Sequence, residues 1–329
     1  MCIRDRSTPE EQGMESQVLA EMLDYIKKYN FNIDSIFVVR NGFNVLETYF
    51  WPFSKGQKHN IYSCTKSIMS ALVGIAIENA YIQDVNQAIM DFFPDKAFAN
   101  YGGLKKSITL ENLLMMSSGL TCRDSYLYRW EGLREMRYSP DWAQYVLDLP
   151  MAGSPGEKFE YCNGVSYLLS VIIQNTTKTR TLDFAKKNLF EPLGIQDIAW
   201  ANSPQGVDIG YGEMWLKPRD MAKFGWLYLN KGRWGKHQIL PSKWVERSTR
   251  GLIPATLFDH YGYQWWVDSA GYYMAVGYKG QRIFVVPEKN MVVVFTADLI
   301  GRESFTPKKL LDYYIIPAAS SSNALPSNT

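Results

Sequence analysis

The sequence predicts an α+β fold: an antiparallel sheet flanked by N- and C-terminal helices, with an all-helical lobe inserted into it. Three observations predict this. β-rich segments sit near both ends of the 329-residue chain. Helical periodicity fills the stretch between, from about residue 63 to 215. No internal repeat divides the sequence, and its 46% hydrophobic content suits one large domain or two interleaved lobes. A sheet drawing strands from both ends satisfies that order. The expected division is residues 1–60 plus 217–319 for the sheet lobe and 61–216 for the helical lobe. A Ser/Asn/Pro-rich tail over 320–329 is expected to be disordered. The cleft between the lobes is the expected site.

Each element follows from local pattern. Residues 14–29 place Val18, Met22, Leu23, Tyr25 and Ile26 at near-helical spacing, an amphipathic helix. Ser35 to Arg40 and Val45 to Trp51 are β-rich and flank Asn41-Gly42, which makes a hairpin. Ser63 to Asn79 is the first helix of the middle. Thr109 caps another, with Leu110, Leu113 and Leu114 facing inward. Gly164 to Asn175 and Leu182 to Leu189 continue the helical run. Pro218 opens a helix to about Asn230, with proline in its first turn. Pro241-Ser242 opens the next, to about Arg250. Strands return at Tyr263 to Val267, Tyr272 to Val276, Gln281 to Val286 and Met291 to Thr296. The turn Pro287-Glu288-Lys289-Asn290 joins the last two. A helix from Thr306 to about Ile315 closes the fold.

Composition removes several function classes. Net charge is +2 and no Lys/Arg run exceeds two or three residues, so no nucleic-acid partner is expected. The longest apolar run, Ile68 to Ile77, is shorter than the roughly 18 residues of a membrane span, so no transmembrane segment is expected. Three histidines and four cysteines (Cys2, Cys64, Cys122 and Cys162) show no metal-ligand spacing. No metal or other cofactor is implied. Free thiols are the expected state, with one bridge among Cys64, Cys122 and Cys162 as the alternative. No signal-peptide pattern is present. The opening Met-Cys-Ile-Arg-Asp-Arg does not read as the start of a natural domain. The compartment is periplasmic or secreted if a leader precedes it, and cytoplasmic otherwise. The 14% aromatic content reads first as core and second as a ring-lined cleft.

Two motifs carry chemistry. Ser63-Cys64-Thr65-Lys66 places a hydroxyl and an amine one helical turn apart, about 5–6 Å on one face. A serine hydroxyl becomes a good nucleophile when an adjacent base takes its proton. A lysine does this when its surroundings lower its pKa. Ser63 falls where a helix begins, so its N–H is one of the first-turn donors and can face an oxyanion. Such a serine–lysine pair is common by chance, and the plain reading is a capping serine with a solvated lysine. Against that reading, the sequel Ser67-Ile68-Met69-Ser70-Ala71-Leu72-Val73-Gly74 is small and apolar all round, and a lysine there needs a reason. Tyr161-Cys162-Asn163 follows the turn Pro155-Gly156. A phenol near an ammonium exchanges protons with a leaving group. Asn163 offers a donor and an acceptor to an ester or amide, and also suits a plain helix cap.

Together with Ile108-Thr109-Leu110-Glu111-Asn112-Leu113-Leu114-Met115-Met116-Ser117-Ser118-Gly119-Leu120 and Leu189-Phe190-Glu191-Pro192-Leu193-Gly194-Ile195, these motifs resemble the class C β-lactamase-related family. That family includes class C β-lactamases, DD-peptidases, family VIII carboxylesterases and 6-aminohexanoate-dimer hydrolases. The resemblance runs from about Ser7 to Ala318 and implies a β-lactamase/transpeptidase-like fold. It implies Ser63 as acylated nucleophile, Lys66 as base, Tyr161 as general acid/base, and Asn163 as an orienting residue. The family's Lys-Thr-Gly strand motif falls on Ala275-Val276-Gly277. Tyr278 N–H then becomes a second oxyanion donor beside Ser63 N–H.

The departure at Ala275 matters, because a lysine there helps hold a substrate carboxylate in β-lactamases and peptidases. The Gly277-x-x-Gly280-Gln281 pattern resembles the esterase and nylon-oligomer hydrolase branch. Lys279 reads as a solvated lysine, or else as a displaced anion contact. Tyr126, Tyr128 and Trp130 are candidates for a lid; Trp215, Trp266 and Gln281 for the pocket. Core packing is the ordinary reading of each ring. Glu157 reads as a surface acid, and His59, His237 and His260 form no triad. The expected activity is hydrolysis of an ester or small amide by acyl transfer from Ser63 to water, acting on a small molecule. The alternatives are a β-lactamase or DD-peptidase acting on peptidoglycan-type substrates, and a non-catalytic ligand-binding or sensor member of the fold.

Overall fold

The computed structural model describes residues 3–100, 102–124 and 129–328. The chain forms two compact units. The first comprises Met1–Cys64, Trp215–Gln238 and Ala270–Thr329; the second comprises Thr65–Met214 and Ile239–Ser269.

The first unit is built on six strands in the order Arg4–Arg6, Phe43–Tyr49, Ile33–Arg40, Met291–Ala297, Arg282–Val286 and Tyr273–Val276. All pairings are antiparallel except that of Arg4–Arg6 with Phe43–Tyr49. Asn41 and Gly42 turn the first hairpin, both at positive φ, as a tight two-residue turn of matching twist requires. Ile33–Arg40 and Met291–Ala297 are buried at every residue. Both faces are covered, which is why residues 36–39 and 291–295 read as continuous apolar runs rather than alternating ones. The helix Pro218–Leu229 packs on the sheet through Gly225. A Cβ there would lie 2.7 Å from Val292 and 2.8 Å from Ile283. The helix Ser16–Tyr29 meets the C-terminal helix, with Tyr25 and Tyr314 rings 5.6 Å apart. Residues after Ala319 run beside the N-terminal segment: Arg40 donates to the Ser321 carbonyl and Leu325 N–H to the Glu10 carbonyl.

The second unit is mainly helical. Its first helix, Thr65–Glu78, is buried from Thr65 to Ala76. Gly74 lies against Trp244, where a Cβ would come within 2.6 Å of the ring. Thr109 and Asn112 form a reciprocal cap on Leu110–Leu114. The helix Asn163–Thr177 packs Gly164 on Val146. Gln264 ties these elements together. Its amide nitrogen donates to the Leu113 and Leu114 carbonyls, its side-chain oxygen accepts from Ser166, and its carbonyl accepts from Ser67.

Several expectations change. The strand expected over Tyr263 to Val267 shortens to Trp266–Val267, which pairs with His260–Tyr261. Gln264 adopts a left-handed φ of 60°, and Gly262 N–H bonds to the Trp265 carbonyl, so this stretch is a turn. The helix expected from Ser63 begins as the 3-10 turn Tyr62–Cys64. Glu131–Tyr138 and Trp142–Asp148 are helices absent from the sequence-based expectation, and Gly103–Lys106 is a helical turn. The free-thiol expectation is corrected for two cysteines. Cys122 and Cys162 are disulfide-bonded across a separation of 40, and among the described residues Cys64 is a buried cysteine outside any disulfide. The spacing of 40 carries no pairing signal; the chain path brings their Cα atoms to 5.4 Å. Among the described residues no helix is long and apolar enough to cross a membrane.

Candidate active site

In the second unit the site grows from Lys66. It sits in the first turn of Thr65–Glu78 and is 2% exposed. A lysine buried this far needs acceptors. Its Nζ donates to Asn163 Oδ1 at 2.8 Å and to the Tyr211 carbonyl at 2.9 Å. It also lies 4.9 Å from the centre of the Tyr161 ring. Lys66, Tyr161 and Asn163, distant in sequence, thus converge.

Asn163 is set by the start of its own helix. Its N–H donates to Asp124 Oδ2 at 2.7 Å, while Asp124 Oδ1 accepts from Leu133 N–H at 2.7 Å. Asp124 is buried. Burial pushes its carboxyl above its ordinary value, against the pull of those two N–H donors and of the Lys66 charge. Tyr161 is held by rings. It stacks on Trp266 at 6.2 Å and meets Trp130 edge-on at 6.3 Å. Trp266 is the centre of a cluster with Phe159, Phe258 and Tyr261, at 5.5, 5.4 and 4.8 Å. Trp266 is therefore mostly core, with one face toward Tyr161.

In the first unit, Ser63 lies in the turn Tyr62–Cys64, three residues before Lys66 in the chain. The segment from Ala275 to Gln281 is seated on that turn. Tyr278 meets the Tyr62 ring edge-on at 5.6 Å. Cys64 Sγ lies 3.6 Å from the Gln281 carbonyl, as a weak donor. A Cβ on Gly277 would collide with the Ile61 carbonyl, so only glycine permits this approach. Gly277 N–H bonds to the Gln281 carbonyl at 2.9 Å. Ala275 is a buried residue of Tyr273–Val276. Gln281 is buried and donates to the Ala297 carbonyl at 2.5 Å, a structural bond. Lys279 pairs with Asp298 at 2.8 Å. Trp215 is 43% exposed on a short strand opposite Asn60. Tyr126 and Tyr128 lie outside the described residues.

Two groups in contact with Lys66 or Asn163 are absent from the sequence-based set. The Tyr211 contribution is a main-chain carbonyl, which has no residue signature. Asp124 bonds to main-chain N–H groups 39 and 9 positions away, and neither spacing forms a motif. Among the described residues, no group of three or more His, Cys, Asp or Glu clusters as a metal site.

The β-lactamase family model matches residues 12–309. The 6-aminohexanoate-dimer hydrolase of Paenarthrobacter ureafaciens is 23% identical over 317 residues, covering 88% of this chain and 79% of that protein. The crystal structure of a family VIII carboxylesterase superposes with a TM-score of 0.72 at 14% identity, covering 96% of this chain and 100% of that one. A penicillin-binding protein from Bacillus halodurans superposes with a TM-score of 0.71 at 15% identity, covering 88% and 99%. At these identities the structural likenesses establish the β-lactamase/transpeptidase-like fold. The hydrolase and esterase names among the relatives are consistent with serine hydrolase activity. The family match spans most of the sequence, and the chain belongs to the β-lactamase family.

Proposed function

We propose that the protein is a serine acyl hydrolase that cleaves ester or small amide bonds through an acyl-enzyme on Ser63. The observation that carries this reading is Lys66. It is buried in the first turn after the Ser63 segment, with Asn163 Oδ1 and the Tyr211 carbonyl as acceptors and the Tyr161 ring beside it. An amine with two positions committed to acceptors has its remaining position fixed in direction. In the proposed cycle Lys66 takes the Ser63 hydroxyl proton as the oxygen attacks the substrate carbonyl. Ser63 N–H and Tyr278 N–H receive the developing oxyanion. Tyr161 gives a proton to the leaving alcohol or amine as its bond to carbon breaks. Water then attacks the acyl-enzyme and gives a proton to the Tyr161 phenolate, and Lys66 returns its proton to the Ser63 oxygen as the bond to the acyl carbon breaks and the acid leaves.

The 6-aminohexanoate-dimer hydrolase and carboxylesterase relatives support the ester or amide reading. Ala275, where the family motif carries a lysine, weighs against β-lactam or peptidoglycan-type substrates. The test is hydrolysis of p-nitrophenyl butyrate alongside nitrocefin, with intact-mass labelling by a fluorophosphonate. The expected result is butyrate turnover exceeding nitrocefin turnover. Ser63→Ala should abolish labelling, and Lys66→Ala should lower kcat by about 10²–10⁴-fold. Nitrocefin turnover in excess of ester turnover selects the β-lactamase alternative. Labelling that survives in Ser63→Ala removes the nucleophile assignment, and a wild-type protein that neither turns over nor labels is a binding member of the fold.

A further inference from the structure

We propose that Asp124 is a positioning residue for Lys66, acting through Asn163. The inference rests on the reading of Lys66 as the base. Asp124 is 3% exposed, and each of its carboxylate oxygens accepts one main-chain N–H at 2.7 Å, from Asn163 and from Leu133. Asn163 in turn gives its side-chain oxygen to Lys66 Nζ at 2.8 Å. One carboxylate thus joins the first turns of Asn163–Thr177 and Glu131–Tyr138, one residue removed from the amine.

A helix start does not require a buried charge. Asn or Ser caps an N-terminus equally well and leaves no ion in the interior. The charge therefore adds something that a cap does not. With both oxygens engaged, the carboxylate cannot turn, and an amide in its place would set an NH₂ against one of the two N–H donors. The segment that carries it is itself fixed. Cys122 is bonded to Cys162, and Gly132 lies so close to the Cys122 carbonyl that a Cβ would collide with it. The disulfide and the carboxylate tie the same two stretches of chain, 122–124 and 162–163. Asn163 is thereby held with its side-chain oxygen toward Lys66, and a negative charge stands behind it.

Among the described residues, other titratable groups facing Lys66 include Tyr161 and Tyr211, with Arg137 bonded to the Tyr211 hydroxyl and to Glu213. Asp124 adds to them a buried carboxylate whose charge is felt by Lys66. Its charge favours the protonated amine, so its removal lowers the pH at which Lys66 loses its proton.

The test compares the wild type with Asp124→Asn, Asn163→Ala and the double variant. Each is assayed with p-nitrophenyl butyrate and followed by ¹³C NMR of lysine labelled at Cε. The expected result for Asp124→Asn is a kcat lowered on the order of 10²-fold with KM little changed. The Lys66 Cε titration midpoint should fall by about one pH unit. The double variant should be about as slow as the slower single one, because the two residues act along one path. Wild-type kcat and an unshifted Lys66 midpoint, with only the melting temperature lowered, would make Asp124 a plain cap and overturn the proposal. Multiplicative losses in the double variant would do the same. Should Asp124→Asn melt below the assay temperature, Asp124→Glu, which retains the charge, should keep the Lys66 midpoint; a midpoint that falls there too counts against the proposal. A wild type without hydrolysis or labelling defeats the hydrolase reading, while the NMR titration still decides whether Asp124 governs Lys66.

Discussion

Gly277 shows how one missing side chain positions another residue's backbone. A Cβ there would strike the Ile61 carbonyl and press on Gln281 at 2.9 Å. Ile61 leads directly into the turn that carries Ser63. Gly277→Ala is therefore expected to destabilise the protein by about 1–3 kcal/mol, the usual cost of overpacking. It should also slow fluorophosphonate labelling of Ser63 even below the melting transition. An alanine variant with unchanged melting and labelling rate would contradict this. At the scale of single residues, the sequence disclosed what belongs to a motif and little else. Ser63, Lys66, Tyr161 and Asn163 stood out because their types and order are distinctive. Asp124 and the Tyr211 carbonyl did not, because their partners are main-chain groups placed by the fold. Trp266 was legible as an aromatic near the site, but its burial among Phe159, Phe258 and Tyr261 was not.

Elements with strong local chemistry were the most readable. The Asn41-Gly42 hairpin, the Pro218 helix start and the Thr109 cap all depend on residues adjacent in sequence. Glu131–Tyr138 was missed because it is short and half of its residues are charged, with only Gly132 and Met136 buried. The stretch 263–267 was misread because β-rich composition does not reveal a left-handed glutamine held by tertiary bonds. The strand Phe43–Tyr49 supports a pH prediction. Burial raises the Glu47 carboxyl, but hydrogen bonds from Tyr49, Arg6 and Asn44 and the charge of Lys55 outweigh it, so its value lies below the ordinary one. Such a group binds its proton less readily folded than unfolded. Its stabilisation is present at neutral pH and is lost as pH falls below the ordinary carboxylate range, through the lowered value. Glu47→Gln should therefore melt at a lower temperature than wild type near pH 7. That deficit should shrink as pH falls through the lowered value, where the wild-type carboxyl takes up its proton. A deficit that stays constant down to the acid limit of the folded state would refute this assignment of charge.

At the scale of the whole molecule, the interleaved order of β-rich ends and helical middle was enough to predict the fold class. The covalent bond between Cys122 and Cys162 stood in the sequence only as the alternative to free thiols, one bridge among three cysteines, since nothing in a spacing of 40 specifies proximity. By closing a loop of that length, the disulfide should stabilise the protein by about 2–4 kcal/mol. A Cys122→Ser/Cys162→Ser variant should melt correspondingly lower, and added reductant should leave that variant's melting unchanged while lowering the wild type's. If reductant shifts both equally, the bridge is not the cause. Gln264 has a different consequence for the fold. Its amide and carbonyl groups bond Ser67, next to Lys66, and Ser166, three residues past Asn163, as well as the end of Leu110–Leu114. The amine and the carboxamide that meet at the site are therefore braced by a residue that touches neither, through its main-chain carbonyl on one side and its side-chain amide on the other. A lineage or an engineer is free to redecorate the surface of this unit, but exchanging the glutamine at 264 strips the Asn163–Thr177 helix and the Leu110–Leu114 turn of their shared brace, while the backbone link to Ser67 stays.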